Sequence, residues 1–425
     1  MWSGQIESDL DTDSVTLIEK HHAVILYGHR IGVLSQRGDH VRFAVTEDYR
    51  SDPRRPVLGM RFEERLDDPY SAALRLPPWF SNLLPEGALR RWIADAGHVS
   101  ADREMELLAT IGHDLPGAVQ VVPADTVDAE GNWEEPPGFS GPKSGEPEPW
   151  RFSLAGVAMK LSMLQRGDRL TVPAYGERGD WIVKLPDQGF SGVPHNEFAM
   201  MRFAAESGID VPETRLVHRE ELPVVPDRLW PRGEEWAYAV KRFDRADDER
   251  RTPIHIEDFT QILDRYPGAK YEGSYETVGA LIYRGRHRED LQEFARRLAF
   301  CVLIGNGDAH LKNWSMIYRD RLTARLAPVY DLVSTFVYRD DGDIEDLALK
   351  FNGGRRFDGI VPSSFDRLEQ RLDSRFGISE AQLADVVSDL AVRARGALPE
   401  ALGRLADEGS RQHLSDWFTF HSRGW

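Results

Sequence analysis

From residue 22 to 64, short apolar runs such as Ala23-Val24-Ile25-Leu26-Tyr27 alternate with Gly and Asp turns, a pattern that predicts a small antiparallel sheet. From Pro85 to Ile111 the period becomes helical, with Leu89, Trp92, Ile93, Met105, Leu108 and Ile111 spaced for one buried face that would pack on that sheet. Residues 124–150 carry Gly131, Pro136, Pro137, Gly138, Gly141, Pro142, Gly145, Pro147 and Pro149 among acidic residues, a composition that cannot bury a core. A domain boundary is expected there. Beyond it, Trp181 to Leu185 and Trp236 to Arg242 read as strands. The helix expected between them has Pro194 and Asn196 before it, Phe198, Met201 and Ala205 along it, and Gly208 where it stops. From about residue 256 onward helical periods dominate, with Leu291, Phe294, Ala295, Leu298, Ala299 and Val302 on one face. The expected fold class is α+β. It comprises a β-rich N-terminal domain (1–123), a linker (124–150), a small β-rich lobe holding one helix (151–245) and a mainly helical lobe (246–425).

Composition narrows the function classes. At 425 residues and 41% hydrophobic content, the chain can build two or three cores. Its formal charge of -17 repels phosphate backbones, so any DNA contact is expected through a partner. The one cysteine, Cys301, lies in an apolar helical pattern rather than a ligand spacing, which fits a reducing cytoplasm. Residues 1 to 20 lack a basic stretch followed by an apolar core, and no apolar run of about 18 residues occurs, so neither export nor membrane insertion is expected.

The most informative stretch is Gly305-Asn306-Gly307-Asp308-Ala309-His310-Leu311-Lys312-Asn313, which follows the apolar helix ending near Ile304. Asp308 and Asn313 stand five residues apart, the spacing of a kinase catalytic loop whose aspartate accepts a hydroxyl proton and whose asparagine binds metal. Trp314 to Tyr318 and Leu322 to Ala327 read as two strands of a hairpin that returns Asp331 to Asn313. An amide oxygen and a carboxylate suit magnesium. Taken singly, each of these residues is an ordinary turn former; the combination points to function. His310 either orders the loop or touches phosphate.

Upstream, Lys184 sits in the apolar strand Trp181-Ile182-Val183-Lys184-Leu185, where a cation needs an anion to meet it. A phosphate is one such anion. Glu197, in the first turn of the helix, is a candidate partner, although glutamate also favours helix starts for dipole reasons alone. Ser153-Leu154-Ala155-Gly156-Val157-Ala158-Met159-Lys160 is a small-residue segment whose backbone N–H groups could cradle phosphate, but it has a single glycine and lacks G-x-G-x-x-G.

These segments, together with Val240-Lys241-Arg242-Phe243-Asp244-Arg245 and Leu326-Ala327-Pro328-Val329-Tyr330-Asp331, occur in the order seen in HipA kinases, which the chain resembles over nearly its whole length. Asn82-Leu83-Leu84-Pro85-Glu86-Gly87 and Ile111-Gly112-His113-Asp114 through Gly117-Ala118 are similar to the HipA N-terminal domain. The resemblance implies a two-lobed kinase-like domain and a serine/threonine protein kinase that uses ATP and magnesium. It also implies a HipB-like helix-turn-helix antitoxin as partner and inhibition of translation, with a translation factor or aminoacyl-tRNA synthetase among the targets it would fit. By position it makes Asp308 the catalytic base and Asn313 and Asp331 the metal ligands. Ala155, Gly156, Val157, Ala158, Met159 and Lys160 would be the phosphate loop, and Lys184, His310, Lys312 and Tyr330 further nucleotide contacts. Lys241, Arg242 and Phe243 would form the adenine hinge, and Ser153 the autophosphorylation site. Lys241 stands where the best-known members carry an acidic residue, and the stretch 340–353 fits no motif. A small-molecule kinase of the aminoglycoside or choline type shares the Asp-x-x-x-x-Asn loop, but the N-terminal motifs argue against it. A non-catalytic co-repressor is the alternative from a different class.

Overall fold

The computed structural model describes residues 19–128, 159–167, 169–173, 178–340, 343–377 and 381–425. Most of the expected linker, Ser153 and Ala155 to Ala158 lie outside them. The architecture is α+β, with three sheet-bearing regions and a helical base.

The alternating segment forms a meander of β1 (Glu19–Leu26), β2 (His29–Arg37) and β3 (His40–Val45), extended by β4 (Tyr70–Ala73) and β5 (Val119–Pro123) into the order β4-β3-β2-β1-β5. The connections carry α1 (Glu47–Ser51), α2 (Met60–Glu64), α3 (Pro78–Ser81), α4 (Gly87–Ala96) and α5 (Glu104–Ile111). The helical period thus becomes two helices, because α4 ends at Gly97 and the chain turns before α5. Leu89, Ile93, Met105, Leu108 and Ile111 are buried against the sheet's inner face, while Trp92 packs at the margin.

The second sheet has the antiparallel order β7-β6-β8-β10-β9: β6 (Lys160–Arg166), β7 (Arg169–Thr171), β8 (Trp181–Lys184), β9 (Thr214–His218) and β10 (Trp236–Lys241). Its period of two divides it between two cores. Leu161, Met163, Trp181, Val183, Ala237 and Ala239 join the core of the first sheet. Tyr238 and Val240 face the other way, onto Met200 and Phe203 of α6 (Val193–Glu206) and the helical lobe. The start of α6 differs from expectation. Pro194 sits inside its first turn, where a missing N–H is harmless. Asn196 is buried within the helix rather than capping it.

The remaining chain holds β11 (His255–Asp258), α7 (Phe259–Ile262), α8 (Tyr275–Ile282), α9 (Arg288–Ile304), β12 (Ser315–Tyr318) and β13 (Arg325–Leu326). After these come β14 (Asp346–Phe351), β15 (Gly354–Arg356), α10 (Pro362–Phe376), α11 (Leu383–Arg404) and α12 (Glu408–His421). The predicted apolar face of α9 is wholly buried, with Cys301 among it. The returning strand of the hairpin is shorter than the sequence reading. Asp320 accepts the N–H groups of Leu322 (2.9 Å) and Thr323 (2.7 Å), so those residues cap a turn instead of pairing across the ladder. The stretch 340–353, which matched no motif, contributes β14 to a two-stranded hairpin.

Candidate active site

The end of α9 sets the site. Gly305 terminates the helix with φ +64°, and a Cβ there would lie 2.8 Å from Phe336 and 2.9 Å from Trp417, so glycine is required by both conformation and space. The loop that follows is closed by its own bonds. Asn306 accepts from the Asp308 N–H (2.9 Å), Thr335 Oγ1 accepts from the Gly307 N–H (2.7 Å), and Asn313 Nδ2 donates to the Asp308 carbonyl (2.8 Å). That last bond uses the amide nitrogen of Asn313 and leaves its Oδ1, the hard atom, for another partner.

Above the loop, Lys184 at the end of β8 donates to Glu197 of α6 (2.5 Å) and to Asp331. Burial works against the Lys184 ammonium, but Asp331 and Glu197 outweigh it and hold its pKa above the ordinary value. Burial pushes Glu197 up to about 7 despite Lys184, whereas Asp331, between Lys184 and Lys160, is held below the usual carboxylate range. Asp331 adopts φ +62°. Its loop is pinned nearby by Asn196, which donates to the Ser334 carbonyl and accepts the Ser334 N–H, each at 3.0 Å. Burial and the neighbouring Lys184 push Lys160 down to about 8. Burial also pushes His310 down to about 4, and its enclosed Nδ1 has no hydrogen-bond partner among the described residues.

Lys160, Lys184, Glu197, Asp308, His310, Asn313 and Asp331 all line one cleft of about 430 Å³. Lys241, Arg242, Phe243, Lys312 and Tyr330 line it as well, whereas Met159 is not among its lining residues. Ile182, Val240 and Ile256 supply an apolar strip, and the rings of Phe243 and Tyr330 lie 5.6 Å apart at its side. Two predicted contacts have their charged heads committed elsewhere. The Arg242 guanidinium, 0% exposed, forks onto Asp244 (2.9 and 2.7 Å) and bonds Ser162 (3.2 Å). Lys312 donates to the backbone and side-chain oxygens of Asn82, both at 3.0 Å, and lies 3.5 Å from Asp258.

Those commitments expose groups that the sequence reading missed. Asn82, Leu83, Glu86 and Pro116 of the N-terminal region line the same cleft. Glu86 pairs with Lys270 (3.1 Å), and Asp114 pairs with Arg245 (3.0 Å) and Arg242 (3.6 Å). Gly117 donates its N–H to Asp244 (2.9 Å). The first N-terminal motif therefore grips the loop after α9 through Lys312, and the second grips the segment Arg242 to Arg245. Tyr271, whose hydroxyl donates to Asp308 Oδ1 (2.5 Å), was also missed. It lies in an irregular loop, and no period or spacing marks it.

A family model described as the HipA-like C-terminal domain matches residues 152–398, and one described as the HipA N-terminal domain matches residues 22–122. The chain belongs to the HipA family. It is 40% identical over 385 residues to a protein named putative kinase Y4dM from Sinorhizobium fredii, covering 88% of this chain and 90% of that one. A second relative from the same organism, named putative kinase Y4mE, is 31% identical, covering 74% of this chain and 77% of that one. The Shewanella oneidensis protein named serine/threonine-protein kinase toxin HipA is 28% identical, covering 61% of this chain and 63% of its own. The structure of the Shewanella HipA, HipB and operator DNA complex contains a chain with the same fold. Its TM-score is 0.71 at 23% identity, covering 95% of this chain and 96% of that one. Among the described residues, no helix is long and apolar enough to cross a membrane.

Proposed function

We propose that this HipA-family chain is an ATP-dependent serine/threonine protein kinase, the toxin of a pair completed by a HipB-like helix-turn-helix antitoxin. The observation that carries the chemistry is the convergence of Lys160 and Lys184 from one lobe with Asp308, Asn313 and Asp331 from the other on a single cleft. In this reading the apolar strip of Ile182, Val240 and Ile256, flanked by Phe243 and Tyr330, takes the adenine. Lys184 and Lys160 hold the phosphates, and Nδ1 of His310, which has no partner among the described residues, gains one there.

The residues present fit magnesium, since among the described residues the Asn313 amide oxygen is unbonded, and Asp331 is held below the usual carboxylate range. When bound, the ion supplies positive charge that spreads the charge of the transferring phosphoryl group. Asp308 orients the acceptor hydroxyl and takes its proton as the oxygen attacks γ-phosphorus in line. Lys184, released from Asp331 toward phosphate, keeps Glu197 as its anchor. The Asn82, Glu86 and Asp114 contacts hold the loop and the hinge at fixed distance, which is the positioning that in-line transfer needs.

Contact with DNA would come through the antitoxin, because the net charge of -17 opposes direct binding. The Ser153 autophosphorylation inferred from the resemblance lies in a segment outside the described residues, and it gives the direct test. Intact-mass spectrometry of full-length protein incubated with ATP and magnesium should show one added phosphate mapping to Ser153 and absent in Ser153→Ala. Phosphate gained equally by both proteins would remove Ser153 from the reading. No gain on the protein or on any threonine- or serine-bearing partner would remove the kinase.

A further inference from the structure

Tyr271 has no place in the reaction as derived above, yet it makes the closest contact to the proposed base. Its hydroxyl donates to Asp308 Oδ1 at 2.5 Å, within the range of a charge-assisted O–H···O⁻ bond. Among the described residues it is the side chain that donates to this carboxylate. A general base must stand at hydrogen-bond distance from the proton it takes. The Tyr271 hydroxyl therefore occupies a position that an acceptor hydroxyl must reach.

The surrounding geometry allows the tyrosine to leave while the loop stays. The backbone on both sides is fastened. The Tyr271 carbonyl accepts from Arg355 Nη2 (2.5 Å), the Lys270 carbonyl accepts the Leu311 N–H (3.1 Å), and the Gly273 carbonyl accepts the Lys350 N–H (3.2 Å). The residue is 41% exposed, its ring standing edge-on to His310 at 5.0 Å with the Lys270 ammonium 5.6 Å from the ring centre. Rotation about its side-chain bonds would carry the hydroxyl into solvent without disturbing the catalytic loop. The bonds to Arg355 and Lys350 also give the β14 and β15 hairpin a role in fastening this loop.

We propose that Tyr271 is a stand-in acceptor, whose hydroxyl occupies the acceptor position at Asp308 until a protein hydroxyl displaces it and so keeps water from being phosphorylated instead. This rests on the kinase reading above and deepens it, naming what makes the site choose a protein acceptor over solvent. The competing reaction balances. A water oxygen attacks γ-phosphorus, the bond to the β,γ-bridging oxygen breaks, and the water proton passes to Asp308, leaving ADP and inorganic phosphate. Removing only the tyrosine oxygen opens a space of about one water molecule against the base.

The test is the release of inorganic phosphate from Mg-ATP by the full-length protein without added acceptor. A positioned base contributes roughly a hundredfold or more, so Tyr271→Phe should release phosphate about tenfold faster than wild type or better. Tyr271→Leu should do so at least as strongly, and the gain should vanish when Asp308→Asn is added. A purely structural tyrosine would leave phosphate release unchanged or lower it, and either result overturns the proposal, as does a gain that survives Asp308→Asn. If wild type phosphorylates protein and Tyr271→Phe shows no gain, the stand-in role fails while the kinase stands. If neither protein turns over ATP in any form, the kinase reading itself fails and the stand-in role goes with it.

Discussion

Lys184 is shared between two carboxylates that do not behave alike. The two lysines beside it hold Asp331 below the usual carboxylate range, whereas burial pushes Glu197 up to about 7, so Lys184 serves chiefly to neutralise Asp331. Hydrogen bonds to charged groups contribute about 1.5–3 kcal/mol, and Lys184→Met should therefore weaken Mg-ATP binding by about tenfold to a hundredfold, measured by calorimetry. Binding within twofold of wild type would exclude Lys184 from the phosphate site. The lysine was legible in the sequence because a cation inside an apolar strand is costly without an anion. Its second carboxylate partner was not, since only the fold brings Asp331 within reach from 147 residues away. Tyr271 shows the same limit from the other side. Its bond to Asp308 spans 37 residues and leaves no trace in any local pattern.

Strand β11 adds further contacts that tie the N-terminal region to the lower lobe, several of them through Glu257. Its buried carboxylate accepts from the Met60 N–H (2.8 Å), from Trp79 Nε1 (3.1 Å) and from the Tyr318 hydroxyl. Burial pushes it up to about 7. A carboxyl raised in the folded state stabilises most below its unfolded pKa, and that contribution is lost as pH rises through the folded value. Glu257→Gln should therefore flatten the decline in Tm between about pH 5 and pH 7.5; an unchanged slope would show that Glu257 is not the titrating group. The hinge clamp makes a second prediction. Breaking a buried ion pair typically costs about 3–5 kcal/mol, so Asp114→Asn, which leaves Arg245 and Arg242 short of a charge, should lower stability by that order in urea titration. A loss below about 1 kcal/mol would mean that the cluster contributes little. The helices and strands themselves were readable because period and burial agree along α9, β8 and β10. The returning strand of the hairpin was shorter than expected because a side chain took over backbone bonds, as Asp320 does before β13.

At the scale of the whole molecule, the second sheet belongs to two cores at once. Leu161, Met163, Trp181 and Val183 join the N-terminal sheet, while Tyr238 and Val240 join the helical lobe. Elements that share buried surface this way unfold together, so calorimetry and tryptophan fluorescence should report one coincident transition, and two separated transitions would contradict a shared core. The sequence separated an N-terminal region from a kinase-like region by composition, but it held no sign that Asn82 and Glu86 reach the catalytic loop, since Lys312 lies 230 residues from Asn82. The cleft is thus completed by both regions, and the role proposed for Asp308 within it is phosphoryl transfer rather than nucleotide binding. The measurement that tests it most directly sets Asp308→Asn beside wild type, with Mg-ATP affinity read by calorimetry and γ-phosphoryl transfer read on the same samples. The account predicts affinity within about threefold and transfer reduced by about a hundredfold or more. Transfer at the wild-type rate, or a loss explained wholly by weaker nucleotide binding, would contradict it.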